Sequence, residues 1–330
     1  MQTPRYELPE EAIAQVPAHP RDSARLLVAL GERPEHKHVR DLPGLVGPGD
    51  VIVVNNSRVV PARLRLAKQT GGEAEVLLLE AVPGRPGHWE AMVRPGRRLA
   101  PGTVLYSGPK AVLRIGERVG DGRRYVESLV DDINAFGELA LPPYINRRLD
   151  DPERYQTVYA SEPGSVAAPT AGLHLTEQVL GACVERGATV AAVDLAVGLG
   201  TFQPIKGERS EDHTMHSERF TVPEQTWELC QTARRVIAIG TTTVRALESA
   251  AAIGQLAGRT ELYLQPGSEF KVVDVLMTNF HQPGSTLLVL LEAFAGPGWR
   301  DLYKLALAQG YRFLSFGDAM IVARSGLASS

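Results

Sequence analysis

Cysteine is nearly absent from this chain: two in 330 residues, Cys183 and Cys230. Both fall in segments with helical spacing, so neither a disulfide framework nor a cysteine metal cage organises the fold, and both read as small apolar core residues. Long apolar runs are missing too. The longest, 287–295, is too short to cross a bilayer and carries Glu292. The opening MQTPRYELPEE is charged and proline-containing with no apolar stretch, so a secretory signal is not expected and the protein is expected in the cytoplasm. Three familiar signatures are lacking as well: a phosphate-binding P-loop, a GxGxxG after a strand, and a GxSxG nucleophile elbow. Nucleoside-triphosphate, dinucleotide and serine-hydrolase chemistry are thereby set aside.

What is present begins with size. A chain of this length exceeds a usual single core, and two domains are expected. Net charge is −3, which argues against a protein that simply coats nucleic acid, but the charge is uneven. From Arg63 to Arg124 there are 12 Lys/Arg against six Asp/Glu, so this segment is +6 and the remainder −9. Such asymmetry fits a polyanionic partner for one lobe, or a solvated face of a small β domain.

The run DVIVVNN (50–56) has the continuous apolar character of a strand buried on both faces, and it ends in polar Asn55-Asn56-Ser57-Arg58. From 64 to 141 the texture changes to short strand-like runs separated by Gly/Pro turns, the spacing of a small antiparallel barrel or sandwich. An α/β rhythm precedes and follows it. The expected organisation is therefore a layered α/β main domain, 1–63 with 142–330, carrying an inserted antiparallel β-barrel at 64–141. In the main domain helices are expected over 176–186, 223–235, 241–252, 286–295 and 299–309, with strands at TVAAVDL, VIAIG, ELYLQ, VVDVLM and near the C-terminus. Alternation of this kind implies a sheet with helices on both faces.

Between Tyr155 and Leu180 small residues, prolines and glycines crowd together, and no regular period runs through 161–172. A close approach of backbone to a ligand, ahead of the helix near Thr176, accounts for that composition. Four strand ends share a polar character: 55–58, 198–202, 240–245 and 278–281. Each alone is a weak signal, since capping threonines are common. Together they describe one polar pocket along a sheet edge. His213-x-x-His216-x-Glu218 has metal-like spacing but no third ligand nearby, and it suits proton transfer or hydrogen bonding better. His174, between Leu173 and Leu175, reads from its neighbours as a core histidine or as a pocket group.

At these same stretches the chain resembles the S-adenosylmethionine:tRNA ribosyltransferase-isomerase family of queuosine biosynthesis. NNSRVVPARL, LPPYI, YQTVYA, GSVAAPTAGLH, GLGTFQP, MHSE, GTTTVRALES, TNFH, STLL, AFAG, YRF and FGDAM match family blocks in order over nearly the whole chain. The resemblance implies transfer of the ribosyl part of S-adenosylmethionine onto 7-aminomethyl-7-deazaguanine at the tRNA wobble position. Epoxyqueuosine forms, and adenine and methionine are released. S-adenosylmethionine is then a ribosyl-donor substrate; no cofactor and no metal is implied. A base removes a proton from the 5′-methylene beside the sulfonium, adenine leaves, the amine attacks the opened sugar, and methionine departs as the epoxide closes. His174, His216 and Glu218, with Asp318 behind them, become the proton-handling candidates. Arg58 and Arg245 become carboxylate or phosphate ligands. Asn56, Thr170, Gly172, Gly200, Thr201, Thr242, Asn279 and His281 complete the expected binding set. The chain departs from the family pattern at Leu175, Gln282 and Ala196; the last stands where the family commonly has histidine. A monomer without membrane contact is expected. Two other readings stay open: a diverged S-adenosylmethionine-binding paralogue acting on another RNA base, and a non-catalytic RNA-binding protein.

Overall fold

The structure is a computed structural model, and it describes residues 3–96, 98–120, 122–198, 205, 215 and 217–326. The chain divides into two compact units: Met1–Arg58 with Pro142–Glu162 and Ala168–Ser330, and Val59–Leu141 with Pro163–Ala167. The sequence drew the insert at 64–141. The second unit starts five residues earlier and also takes a short piece of the 155–180 stretch.

The first unit is built on a nine-stranded mixed sheet. Its order is Ala257–Thr260, Glu218–Thr221, Thr189–Leu195, Asp50–Asn55, Arg235–Ile239, Val275–Asn279, Ala319–Ala323, Arg25–Ala29, Glu35–His38. The strands Thr189–Leu195, Asp50–Asn55, Arg235–Ile239 and Val275–Asn279 are neighbours and mutually parallel. Their C-terminal ends therefore lie along one edge. These are the four strands whose ends the sequence marked as polar.

Both faces of the sheet are covered. Ile52, Val54, Ile237, Ile239, Val275 and Met277 share one apolar cluster with Val179 and Cys183 of helix α1 (Glu177–Glu185). The alternate residues Val51, Val53, Val236, Ala238 and Leu276 are equally buried on the other side. Period-2 alternation is thus hidden because neither face is wet, and the strands read as continuous apolar runs.

Four further helices complete the unit among the described residues: α2 (Glu224–Thr232), α3 (Thr241–Ile253), α4 (Thr286–Ala295) and α5 (Trp299–Ala308). Thr176 caps α1 by accepting from the Val179 amide, and Ser285 caps α4 by accepting from Leu288. α3 begins differently. Gly240 holds φ at +91° and donates its N–H to the Met277 carbonyl at 2.8 Å. A side chain there would be strained, so glycine is what lets the strand turn straight into the helix.

Two expectations are corrected. Glu261–Gln265 is not a strand; the edge strand is Ala257–Thr260, paired antiparallel with Glu218–Thr221. The irregular stretch 161–172 contains a short strand at Glu162–Ser165 and leads into a 3-10 turn over Thr170–His174.

The second unit is a barrel. Arg63–Lys68, Glu73–Ala81, His88–Arg94, Arg123–Ser128, Lys110–Gly120 and Val104–Ser107 pair antiparallel in that order, and the first and last pair with each other to close the ring. Closure removes the free edges that so short a sheet would expose. Leu64, Val76, Ala91, Leu105, Val112, Leu113 and Val126 fill its interior.

Candidate active site

Two small clefts lie in the α/β unit at the C-terminal edge of the parallel strands, and Leu287 lines both. The first is lined by Tyr144, Thr170, Asn279, His281, Gln282 and Ser315 among others. The second is lined by Thr241, Thr242, Arg245, Tyr263 and Met215 with apolar neighbours. Ligands in open α/β sheets sit at this edge, where strand ends leave amides and side chains unengaged by the ladder.

In the first cleft a short polar chain sets the geometry. Thr170 Oγ1 donates to Asn279 Oδ1 at 3.0 Å. The Asn279 amide nitrogen then reaches His174 Nε2 at 3.1 Å and the Leu314 carbonyl at 3.2 Å. With Oδ1 accepting from Thr170, the Asn279 NH2 donates to both, so His174 Nε2 accepts and its proton sits on Nδ1. His174 is buried, and its pKa is lowered to about 4, chiefly by that burial, with Asp318 pulling the other way. His174 is therefore neutral at pH 7, the form that can take a proton.

His281 is also neutral, its pKa lowered to about 3 by burial. It is held from three sides. Tyr6 Oη donates to its carbonyl at 2.5 Å, its N–H donates to Tyr303 Oη at 2.8 Å, and its Nε2 lies 3.0 Å from Thr278 Oγ1.

In the second cleft the organising group is an ion pair. Arg245 Nη1 donates to Glu218 Oε2, both side chains being more than nine-tenths buried. Glu218 Oε1 accepts from the Gly198 amide at 2.9 Å. Arg245 Nε reaches the Leu262 carbonyl at 3.3 Å, while its buried Nη2 has no hydrogen-bond partner. Thr242 Oγ1 accepts from Asn55 Nδ2 at 3.2 Å. Asn55 was not singled out as a site residue, although its Oδ1 also accepts from the Ser57 and Leu195 amides and so ties two strand ends together. Its place within the Asn-Asn-Ser run was the signal.

The structure gathers Thr170, Asn279 and His281 in one cleft and Thr242 and Arg245 in the next. His174 and Glu218 stand directly behind, each touching a lining residue. Other candidates are placed elsewhere. Arg58 is ion-paired with Glu153 at 2.8 Å, and Asn56 Nδ2 donates to Ser161 at 3.0 Å. Asp318 is buried with its oxygens taken by the Arg25 and Arg312 amides at 3.0 and 2.8 Å, so it acts on His174 only through its charge. At Gly172 a Cβ would collide with the Tyr159 hydroxyl; the close approach that demands glycine there comes from the chain itself and not from a ligand. Ala196 donates its amide to the Arg219 carbonyl at 3.0 Å, beside the strand end that leads to Gly198. Gly200, Thr201, His213 and His216 lie outside the described residues. Among the described residues, no group of three or more His, Cys, Asp and Glu is arranged to hold a metal ion.

A family described as "Queuosine biosynthesis protein" matches residues 1–322, and the chain belongs to it. Its relatives include the S-adenosylmethionine:tRNA ribosyltransferase-isomerase of Rubrobacter xylanophilus, 49% identical over 97% of each chain. That of Thermus thermophilus is 48% identical over 96% of this chain and 97% of its own. The crystal structure of an S-adenosylmethionine tRNA ribosyltransferase from Thermotoga maritima superposes with a TM-score of 0.56. It shares 35% identity and covers 96% of this chain and 99% of its own.

Proposed function

We propose that this protein is an S-adenosylmethionine:tRNA ribosyltransferase-isomerase. On this reading it moves the ribosyl group of S-adenosylmethionine onto 7-aminomethyl-7-deazaguanine at the wobble position of a tRNA. The observation that carries the reading is the paired cleft at one sheet edge, in a chain that matches the family over 322 residues. One cleft offers the neutral imidazole of His281, with His174 behind Asn279, and the other a buried guanidinium with a free N–H face.

The donor is a cation with a carboxylate at one end and an adenine at the other. The second cleft suits the carboxylate: Arg245 Nη2, lacking a partner within the protein, supplies a charge-assisted donor in a low-dielectric setting. Glu218 holds the guanidinium by its other nitrogen, so the donor is aimed before substrate arrives. The amides of Thr241 and Thr242 precede the first intrahelical bonds of α3 and add positive potential there. The reacting sugar is then directed toward the first cleft, where Thr170, Asn279 and His281 meet its hydroxyls. His174 is the proposed acceptor of the 5′ proton in its neutral form, on Nε2, which gives up the hydrogen bond from the Asn279 NH2 when it does so. His216 and Glu218 are the further proton-handling groups of the proposal, and Thr201 and Gly200 complete its binding set. No helix is long and apolar enough to cross a membrane among the described residues, and the reading takes the protein as a cytoplasmic monomer.

The test is incubation with S-adenosylmethionine and tRNA carrying the deazaguanine precursor, with released adenine as readout. Adenine with this tRNA is expected. Adenine only with another RNA, or RNA binding with no adenine at all, overturns the assignment. The relatives named above carry the ribosyltransferase name, and none of them speaks for a non-catalytic RNA binder.

A further inference from the structure

Among the described residues, more unpaired cations gather at one end of the barrel than at the other. The register of Lys68 with Leu105 and of Arg123 with Gly120 brings the chain reversals after Lys68, Arg94 and Gly120 to the same end. Lys68, Arg94, Arg98 and Arg118 stand there, and none of the four forms an ion pair among the described residues. Those four outnumber the acids at this end among the described residues, Glu73, Glu75 and Glu117. At the other end Arg85 and Lys110 also form no ion pair among the described residues, and Lys110 lies over the Phe136 ring; three further basic groups of the barrel are neutralised. Arg114 pairs with Glu127 at 2.5 Å, Arg65 with Glu138 at 2.7 Å, and Arg123 reaches back to Glu90 at 2.8 Å.

The basic end is also rigid. Buried Arg124 donates to the Gly96 carbonyl at 2.7 Å, Lys68 Nζ donates to the Arg98 carbonyl at 3.2 Å, and Leu99 is fully buried. The reversal carrying Arg98 is thereby anchored by its backbone and by Leu99, while the Arg94, Arg98 and Arg118 side chains are exposed. No large hydrophobic residue of the barrel is exposed among the described residues. A protein partner would be expected to find apolar or aromatic anchors, and this surface offers none. Fixed, unpaired cations without apolar anchors suit a phosphate backbone, which is gripped by charge and not by sequence.

We propose that this end of the barrel binds the sugar–phosphate backbone of RNA, with Lys68, Arg94, Arg98 and Arg118 as the phosphate contacts. The proposal rests on the reading that tRNA is the substrate. Its test is a salt titration of fluorescent tRNA binding to the full chain between 50 and 200 mM salt. The quadruple variant Lys68→Gln, Arg94→Gln, Arg98→Gln and Arg118→Gln should flatten the slope of log K against log salt by about 3, at roughly 0.7–0.9 per phosphate contact. A control, Arg85→Gln with Lys110→Gln at the opposite end, should change it by less than about 1. Thermal melting checks that both variants fold. Arg94→Lys, Arg98→Lys and Arg118→Lys together should keep the slope, because a phosphate accepts a point charge. In turnover, KM for tRNA should rise about tenfold in the quadruple variant while KM for S-adenosylmethionine stays put. An unchanged slope in the quadruple variant, or an equal loss in the control, overturns the proposal. Wild-type protein that shows the expected slopes but releases no adenine would leave this surface standing and remove the activity assigned to the clefts.

Discussion

In the α/β unit Glu218 and Arg245 are 7% and 6% exposed and meet beside a cleft, whereas in the barrel Arg114 and Glu127 are 46% and 37% exposed. The two pairs have the same chemistry and opposite energetics. Water and salt screen the barrel pair, and holding two long side chains in place costs entropy. The buried pair has paid a desolvation penalty that its own contact, the Gly198 amide and the Leu262 carbonyl offset, so removing one member strands the other. One unit therefore uses charge to aim a single guanidinium. The other uses charge as a diffuse field over one end.

Several substitutions would break or sharpen that contrast. The largest effect is expected on turnover: His174→Ala should lower kcat by about 100- to 10,000-fold, the usual contribution of a positioned proton acceptor. Adenine release by the folded variant measures it, and wild-type turnover would remove His174 from the mechanism. Next comes stability of the buried pair. Glu218→Gln should cost about 3–5 kcal/mol in urea unfolding because Arg245 stays buried and uncompensated. A cost near zero would mean that water reaches the guanidinium, and the contrast with the barrel would collapse.

Acid should act on the same unit. The folded pKa of His174, about 4, lies below its ordinary 6.5, so below pH 6.5 the unfolded chain binds a proton that the folded chain does not. Stability is full above that pH and falls as pH drops toward 4, by about 3 kcal/mol for this residue. His281 adds a loss of the same sign. His174→Gln should flatten the decline, seen as a smaller shift of the urea midpoint between pH 7 and pH 4.5.

Tyr303→Phe should cost about 1–3 kcal/mol, since it leaves the buried His281 amide without its acceptor. Smallest of all, Glu127→Gln in the barrel should change stability by less than about 1 kcal/mol, and 0.5 M salt should erase even that. A large, salt-insensitive loss there would show that the barrel pair behaves like the buried one.

Much of the fold was legible before the structure. Helices α1, α3, α4 and α5 begin within a residue of where caps and period placed them, because Thr176, Gly240 and Ser285 are local signals read by local hydrogen bonds. The misplaced edge strand shows the limit. ELYLQ has the better strand composition, but AGRT is the segment with a partner, Glu218–Thr221, and a strand exists only where its ladder is satisfied. Thr170, Asn279, His281, Thr242 and Arg245 were named from motifs. That Asp318 is consumed by two backbone amides, or that Gly172 yields to Tyr159, was not legible, since both follow from contacts far apart in the sequence.

Composition, periodicity and strand-end residues by themselves determined the α/β class, the β-rich basic insert and the polar character of four strand ends. These are properties of short windows, where residue type sets backbone and burial directly. Tertiary structure alone decided that those four ends lie side by side, because parallel pairing depends on the order in which distant strands dock. It also decided which cations stay unpaired. Arg58 and Arg114 find carboxylates, while Arg94 and Arg98 do not, and only the path of the chain in space settles which charges come within reach.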